Sequence, residues 1–284
     1  MFFEINHLSA EIFSHNKSTP VLSDVSIGVD EGEFVALVGE SGSGKTMTAL
    51  SVLHLLPETI RMTAGEIRLG EKQISSMSEK EFRHLSGKEI SIIFQEPMTS
   101  LNPLIKTGKQ IEEAGLIHGL SKEQAHERAE ELARLTGLLD TKRILNSFPH
   151  ELSGGMKQRI MIAMALMNNP RLLIADEPTT ALDVLTEEEI IGILQNLRKI
   201  NKTTILLITH DLSVVKKLCS RVYIMYKGKI VEEGPTKTVF ENPQHDYTKA
   251  LIEAIPDISK RGQKLAVYDA FLEERGDLIY GKNP

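Results

Sequence analysis

The sequence is short of sulfur chemistry and of long apolar runs. Among 284 residues there is one cysteine, Cys219. A lone thiol cannot close an internal disulfide and fits a reducing compartment. Lying between Leu218 and Ser220 without a companion, it reads as a buried structural thiol. No run of about 18 or more apolar residues occurs, so no membrane-spanning helix is expected. The longest apolar stretch, Ile160 to Met167, is too short. The N-terminus, MFFEINHLSAEIF, lacks a basic region followed by an apolar core. No secretory signal is therefore expected, which places the chain in the cytoplasm. There is no low-complexity tract and no internal repeat. The formal net charge is −6. That argues against a nucleic-acid binder with a basic face, but not against local basic sites for phosphate.

What is present is ordinary for a soluble globular protein, 41% hydrophobic and 25% charged, with a length that suits one large domain or two small ones. Short β-rich apolar runs recur at Phe34–Val38, Ile90–Phe94, Leu172–Ala175 and Ile205–Ile208. Continuous rather than alternating runs suit strands covered on both faces, as in a parallel sheet. Between the last two, Ile190, Ile193, Leu194, Leu197 and Ile200 recur at helical spacing, which makes a strand–helix–strand unit and an α/β class. The segment from about Pro97 to Leu152 lacks clear strands. There, Ser121 with Gln124 reads as a capping box, Ala125, Ala129, Leu132 and Leu135 form a helical stripe, and Gly137 is a stop. This segment reads as a helical insertion, and the part beyond about Pro235 as a short helical extension.

Gly39-Glu40-Ser41-Gly42-Ser43-Gly44-Lys45-Thr46 follows an apolar strand and precedes a helical pattern, Met47 to Leu56, that stops before Pro57. Glycines let backbone N–H groups wrap an anion closely, and the following helix points its positive end at the same place. In such a loop Lys45 reaches the β- and γ-phosphates and the Thr46 hydroxyl ligates Mg²⁺. The motif's context argues against a chance glycine-rich turn. Leu172 to Ala175 runs into Asp176 and Glu177. Ligands of parallel sheets sit at the carboxyl ends of strands, so Asp176 suits the Mg²⁺ shell and Glu177 suits a general base that polarises water. His210 ends a further apolar strand. It could project to the same edge, but by itself a histidine there is more often structural or solvent-facing.

Leu152-Ser153-Gly154-Gly155-Met156 resembles the signature segment of ABC-transporter ATPases, usually written LSGGQ. From Met1 to about Leu251 the chain resembles that family in order: Gln95 where the family has its Q-loop glutamine, Ala181-Leu182-Asp183 as its D-loop, His210 as its switch histidine. Phe13 lies where the family often has an aromatic that stacks on adenine; a plain core aromatic is the alternative. The resemblance implies a P-loop NTPase (RecA-like) core over residues 1–96 and 157–235, a helical subdomain with the signature over 97–156, and an extension over 236–284. It implies ATP and Mg²⁺ as ligands, with Gly39 to Met47, Gln95, Ser153, Gly154, Gly155 and Asp183 around the nucleotide, and Thr46, Gln95 and Asp176 around the metal. Two such subunits would close head to tail, each ATP lying between Lys45 of one and Ser153–Gly155 of the other. Met156 departs from the usual glutamine and cannot donate a hydrogen bond, while the serine and glycines are intact.

Finer features resemble the oligopeptide/dipeptide/nickel importers: Phe94 to Pro103, Phe148 to Arg159, Ala175 to Val184 and Asn242 to Leu251. That resemblance implies a second, different ATPase subunit, two transmembrane permease subunits, an extracytoplasmic solute-binding protein, and a peripheral position on the cytoplasmic face of the membrane. Some members bind an iron–sulfur centre through cysteines near the C-terminus. This chain has none after Cys219, so no cluster is expected. A rival reading is a soluble ABC ATPase acting on DNA or the ribosome. Such proteins usually carry two cassettes or a long coiled-coil insertion, and neither is present. A third, a regulatory nucleotide-binding module with weak hydrolysis, sits poorly with intact Glu177 and His210.

Overall fold

The computed structural model describes residues 1–14, 17–96, 100–180, 182–201 and 203–254, with the backbone alone over 198–201. The Pro97, Met98, Thr99 and Ala181 positions of the quoted motifs, the Ile200 side chain, and the tail with Pro256, Gly262 and Pro284 lie outside the described residues.

Continuous apolar runs become the parallel strands of one sheet. β3 (Phe34–Val38), β6 (Ile90–Ile93), β7 (Leu172–Asp176), β8 (Thr204–Thr209), β9 (Arg221–Tyr226) and β10 (Lys229–Pro235) lie in the order β10-β9-β3-β8-β7-β6, with only β10 antiparallel to its neighbour. Every residue of β3, β7 and β8 is buried, as strands covered on both faces require. Side chains alternate between two cores. Phe34, Ala36 and Val38 join the cluster under the helices, and Val35 and Leu37 join the other.

That second core is closed by an antiparallel sheet absent from the sequence reading. β1 (Phe3–Ser14), β2 (Lys17–Val29), β4 (Ile60–Leu69) and β5 (Lys72–Gln73) lie in the order β2-β1-β4-β5. Its strands bury alternate residues, with Phe3, Ile5, Leu8 and Ala10 of β1 inward. A search for unbroken apolar runs passes over such a pattern.

α1 (Lys45–Val52) is shorter than the helix expected to reach Leu56. The insertion is helical: α2 (Glu79–Leu85) precedes it, then α3 (Thr107–Leu116), α4 (Lys122–Leu135), α5 (Thr141–Asn146) and α6 (Gly154–Leu166). The capping box forms, with Gln124 N–H donating to Ser121 Oγ at 3.2 Å and Ser121 N–H to Gln124 Oε1 at 2.9 Å. Gly137 sits just past α4 at φ 77°, a left-handed geometry that glycine adopts without strain. Ala125, Ala129 and Leu132 are buried, but Leu135 is turned outward, because the stripe drifts off the core face in the last turn. α6 is one continuous helix from the signature residues to Leu166. α7 (Val184–Asn201), α8 (Leu212–Leu218), α9 (Thr236–Glu241) and α10 (Asp246–Glu253) complete the described chain. Cys219 is buried, as expected.

Candidate functional site

Strand register gathers the predicted groups. Val38 of β3 is level with Thr209 of β8, Asp176 of β7 with Ile208, and Ile93 of β6 with Ala175. Gly39, His210, Glu177 and Gln95 each follow within two residues of those positions, so all emerge at one carboxyl edge of the sheet. This is the edge where parallel α/β sheets hold ligands.

The glycine-rich loop turns at this edge into α1. Gly42 and Gly44 have φ of 80° and 112°, conformations that side chains resist. A Cβ at Gly39 would fall 2.2 Å from the Met225 carbonyl oxygen, so that glycine is required for close backbone approach. Lys45 Nζ donates to the Gly39 carbonyl at 2.8 Å and the Glu40 carbonyl at 3.0 Å. Burial pulls the ammonium pKa below its ordinary value, only partly opposed by Glu177, Asp176 and Glu40. Burial likewise pushes Asp176 up, against a hydrogen bond from Thr46, while the nearby Glu177 charge raises it further. Asp176 Oδ1 and Ser43 Oγ are buried without a hydrogen-bond partner. A buried carboxylate oxygen of that kind beside a threonine hydroxyl suits a hard cation.

Glu177 is the meeting point of the edge. Its backbone is left-handed, φ 47°, a strained state for a non-glycine residue and one that concentrates at functional sites. Its N–H donates to the Ile208 carbonyl at 2.8 Å, fixing the turn. Oε2 accepts from the Thr180 hydroxyl at 2.7 Å and from Gln95 Nε2 at 3.4 Å, and lies 3.1 Å from His210 Nδ1. Burial raises its pKa, but the Thr180 and His210 hydrogen bonds together with the His210 and Lys45 charges outweigh burial and hold the carboxyl below its ordinary range. Thr180 had no role in the sequence reading. It sits three residues past Glu177 in a quoted run, and only the turn brings its hydroxyl back.

The remaining predicted residues stand at two other places. Ser153 caps α6, its Oγ accepting from Met156 N–H at 3.4 Å, and Gly154 and Gly155 form the first turn. Beside them Asp183 caps α7, accepting from Thr186 N–H at 3.1 Å and from its hydroxyl at 2.8 Å. A Cβ on Gly155 would fall 2.7 Å from Thr186 Cγ2, so that glycine lets the two helix starts meet. Gln158, buried on α6, donates to the Pro178 carbonyl at 2.7 Å and ties this pair of helix starts to the Glu177 turn. Phe13 is near the tip of the β1–β2 hairpin, 42% exposed, with the Arg61 guanidinium 5.8 Å from its ring centroid.

Comparison with known proteins decides the class. The family model described as ABC transporter matches residues 22–180. The chain belongs to the ABC transporter ATP-binding family. The model of the oligopeptide/dipeptide transporter C-terminal region matches residues 231–270 of this cassette. Over 266 residues it is 44% identical to the probable peptide ABC transporter ATP-binding protein y4tR of Sinorhizobium fredii, covering 93% of this chain and 79% of the relative. It is 44% identical to the oligopeptide transport ATP-binding protein OppD of Bacillus subtilis, covering 92% and 74%, and 41% identical to the dipeptide transport ATP-binding protein DppD of Escherichia coli, covering 92% and 80%. Among solved structures it is similar to the ATP-binding cassette MJ0796, determined as a dimer in a post-hydrolysis state bound to ADP and Pi. That match has a TM-score of 0.74 at 28% identity and covers 82% of this chain and 98% of that one. The cassette is an ABC-type ATPase, a subunit that works with a membrane permease. These relatives are transport subunits and lend nothing to the reading of an ATPase acting on DNA or the ribosome. Among the described residues no helix is long and apolar enough to cross a membrane.

Proposed function

We propose that this ATPase energises import of peptides, as one half of an ATPase pair seated peripherally on the cytoplasmic face of two permease subunits fed by an extracytoplasmic solute-binding protein. The observation that carries the catalytic part is the convergence of Gln95, Glu177 and His210 beside the Lys45 loop. The printed functions of the relatives carry the peptide part.

The α1 N-terminus and the loop N–H groups between Gly39 and Met47, other than that of Glu40, which donates to Tyr247, suit the phosphates, with Lys45 as the cation. Lys45 spends its donors on Gly39 and Glu40 carbonyls, which phosphate oxygens can replace. Magnesium supplies charge neutralisation on the phosphates when bound. Thr46, Asp176 and the Gln95 side-chain oxygen are hard ligands that fit it. Glu177, kept ionised by Thr180 and His210, is positioned to take a proton from water at its carboxylate. His210, 3.1 Å from Glu177 at Nδ1 and otherwise largely exposed, would face the γ-phosphate and orient that water. Ser153, Gly154, Gly155 and Asp183 would complete the site of the facing subunit across a head-to-tail dimer, and Phe13 would stack on adenine. Residues 1–96 and 157–235 form the nucleotide core in this reading, 97–156 the subdomain that meets the permease, and 236–284 the extension.

Met156 and the subgroup resemblance favour a different ATPase as partner. The test is uptake in cells whose chromosomal copy carries Glu177→Gln. Labelled di- and oligopeptide uptake is expected to fall to background while nickel uptake is kept. Loss of nickel uptake with peptide uptake intact would replace peptides with nickel as the cargo.

A further inference from the structure

The phosphate loop is braced from behind by α10, the last helix among the described residues. The Glu40 backbone N–H donates to the Tyr247 hydroxyl at 2.9 Å, across 207 residues of sequence. Tyr247 lies in the first turn of α10, is fully buried, and packs its ring against Tyr226 with centroids 4.4 Å apart. The start of α10 is itself fixed. Gln244 and His245 N–H groups donate to the Glu232 carboxylate at 2.8 and 2.9 Å, and Tyr247 N–H donates to His245 Nδ1 at 3.1 Å. A second brace comes from the β9–β10 turn, where Gly228 N–H donates to the Ser43 carbonyl at 2.8 Å.

An N–H that donates to Tyr247 is engaged there and is not offered to a phosphate. Its effect is to fix the Gly39–Glu40 peptide, whose own carbonyl, that of Gly39, and the next one, that of Glu40, are the two acceptors of Lys45 Nζ. We infer that Tyr247 is a positioning residue for the nucleotide phosphates, acting through Glu40, and that the C-terminal element thereby tunes ATP affinity. This rests on the reading that Gly39 to Thr46 holds the phosphates. By linkage, the Glu40–Tyr247 contact strengthens ATP binding by as much as ATP binding strengthens that contact.

The test uses the purified full chain, a fluorescent ATP analogue, steady-state ATPase and thermal melting. Tyr247→Phe keeps the ring and removes the hydroxyl; losing one such hydrogen bond is expected to weaken ATP binding and raise KM about five- to tenfold. Its kcat should stay within about twofold, because Tyr247 does not touch the Glu177 turn. Leu251→Ala, on the same helix and packed against the main core, should lower Tm with KM unchanged. A Tyr247→Phe chain with wild-type KM, or a Leu251→Ala chain whose KM rises as much, overturns the inference and leaves the phosphate reading standing. Lys45→Ala is the arm for that reading; if it also binds ATP as tightly as wild type, the reading falls and the inference falls with it.

Discussion

His210 Nδ1 lies 3.1 Å from Oε2 of Glu177, across the gap between the ends of two adjacent parallel strands. The contact depends on register, since one residue of slip between β7 and β8 would turn these side chains away from each other. Replacing His210 with Ala should therefore lower ATP turnover by about 10² or more, the range for loss of a positioned acid–base group. ATP affinity should change little, because Lys45 and the loop are untouched. Paired kcat and Kd measurements check this; a fall in affinity with kcat retained would place His210 in binding alone.

Thr180 predicts a pH effect. Glu177 is pushed up by burial and held down by the hydrogen bonds from Thr180 and His210. Thr180→Ala leaves burial less opposed, so the carboxyl pKa rises and the acid limb of the kcat/KM profile moves to higher pH. The stability sign is the same. A lowered folded-state pKa gives stabilisation that is present above the unfolded pKa and lost as pH falls through the folded one, and the variant loses part of it. An unmoved acid limb would remove Thr180 from the tuning of Glu177.

Much of this site is legible in the sequence. The glycine loop, the acids after β7 and the capping box of α4 announce themselves because each is local, its residues lying within about one turn of one another. Thr180, Gln158 and Tyr247 are not legible, because their roles depend on chain reversals or on contacts between distant elements. Gln158 reaches the Pro178 carbonyl across 20 positions and Tyr247 reaches Glu40 across 207. The antiparallel sheet escaped for a different reason: its strands bury one face only, so their apolar residues alternate with polar ones.

Asp176 predicts a trade between stability and binding. Burial raises its folded-state pKa. Below the unfolded pKa no cost arises; as pH rises through the folded pKa, ionising a buried carboxyl without a second hydrogen-bond partner becomes destabilising. At neutral pH Asp176→Asn should therefore raise the Tm of the nucleotide-free chain while removing the extra stabilisation given by magnesium with ATP. Melting curves with ATP, with and without magnesium, check both halves. A variant that melts lower without nucleotide and keeps its magnesium-dependent shift would contradict the metal assignment.

The most direct measurement is ATP turnover and ATP binding by Glu177→Gln beside the wild type in the same preparation. The substitution keeps the side-chain shape and an acceptor oxygen for Thr180, but removes the basic carboxylate. The expected result is wild-type hydrolysis, a loss of at least about 10² in kcat for the variant, and retained tight binding of ATP. Unchanged turnover in Glu177→Gln would contradict the assignment of Glu177 as the base on which the whole site is built.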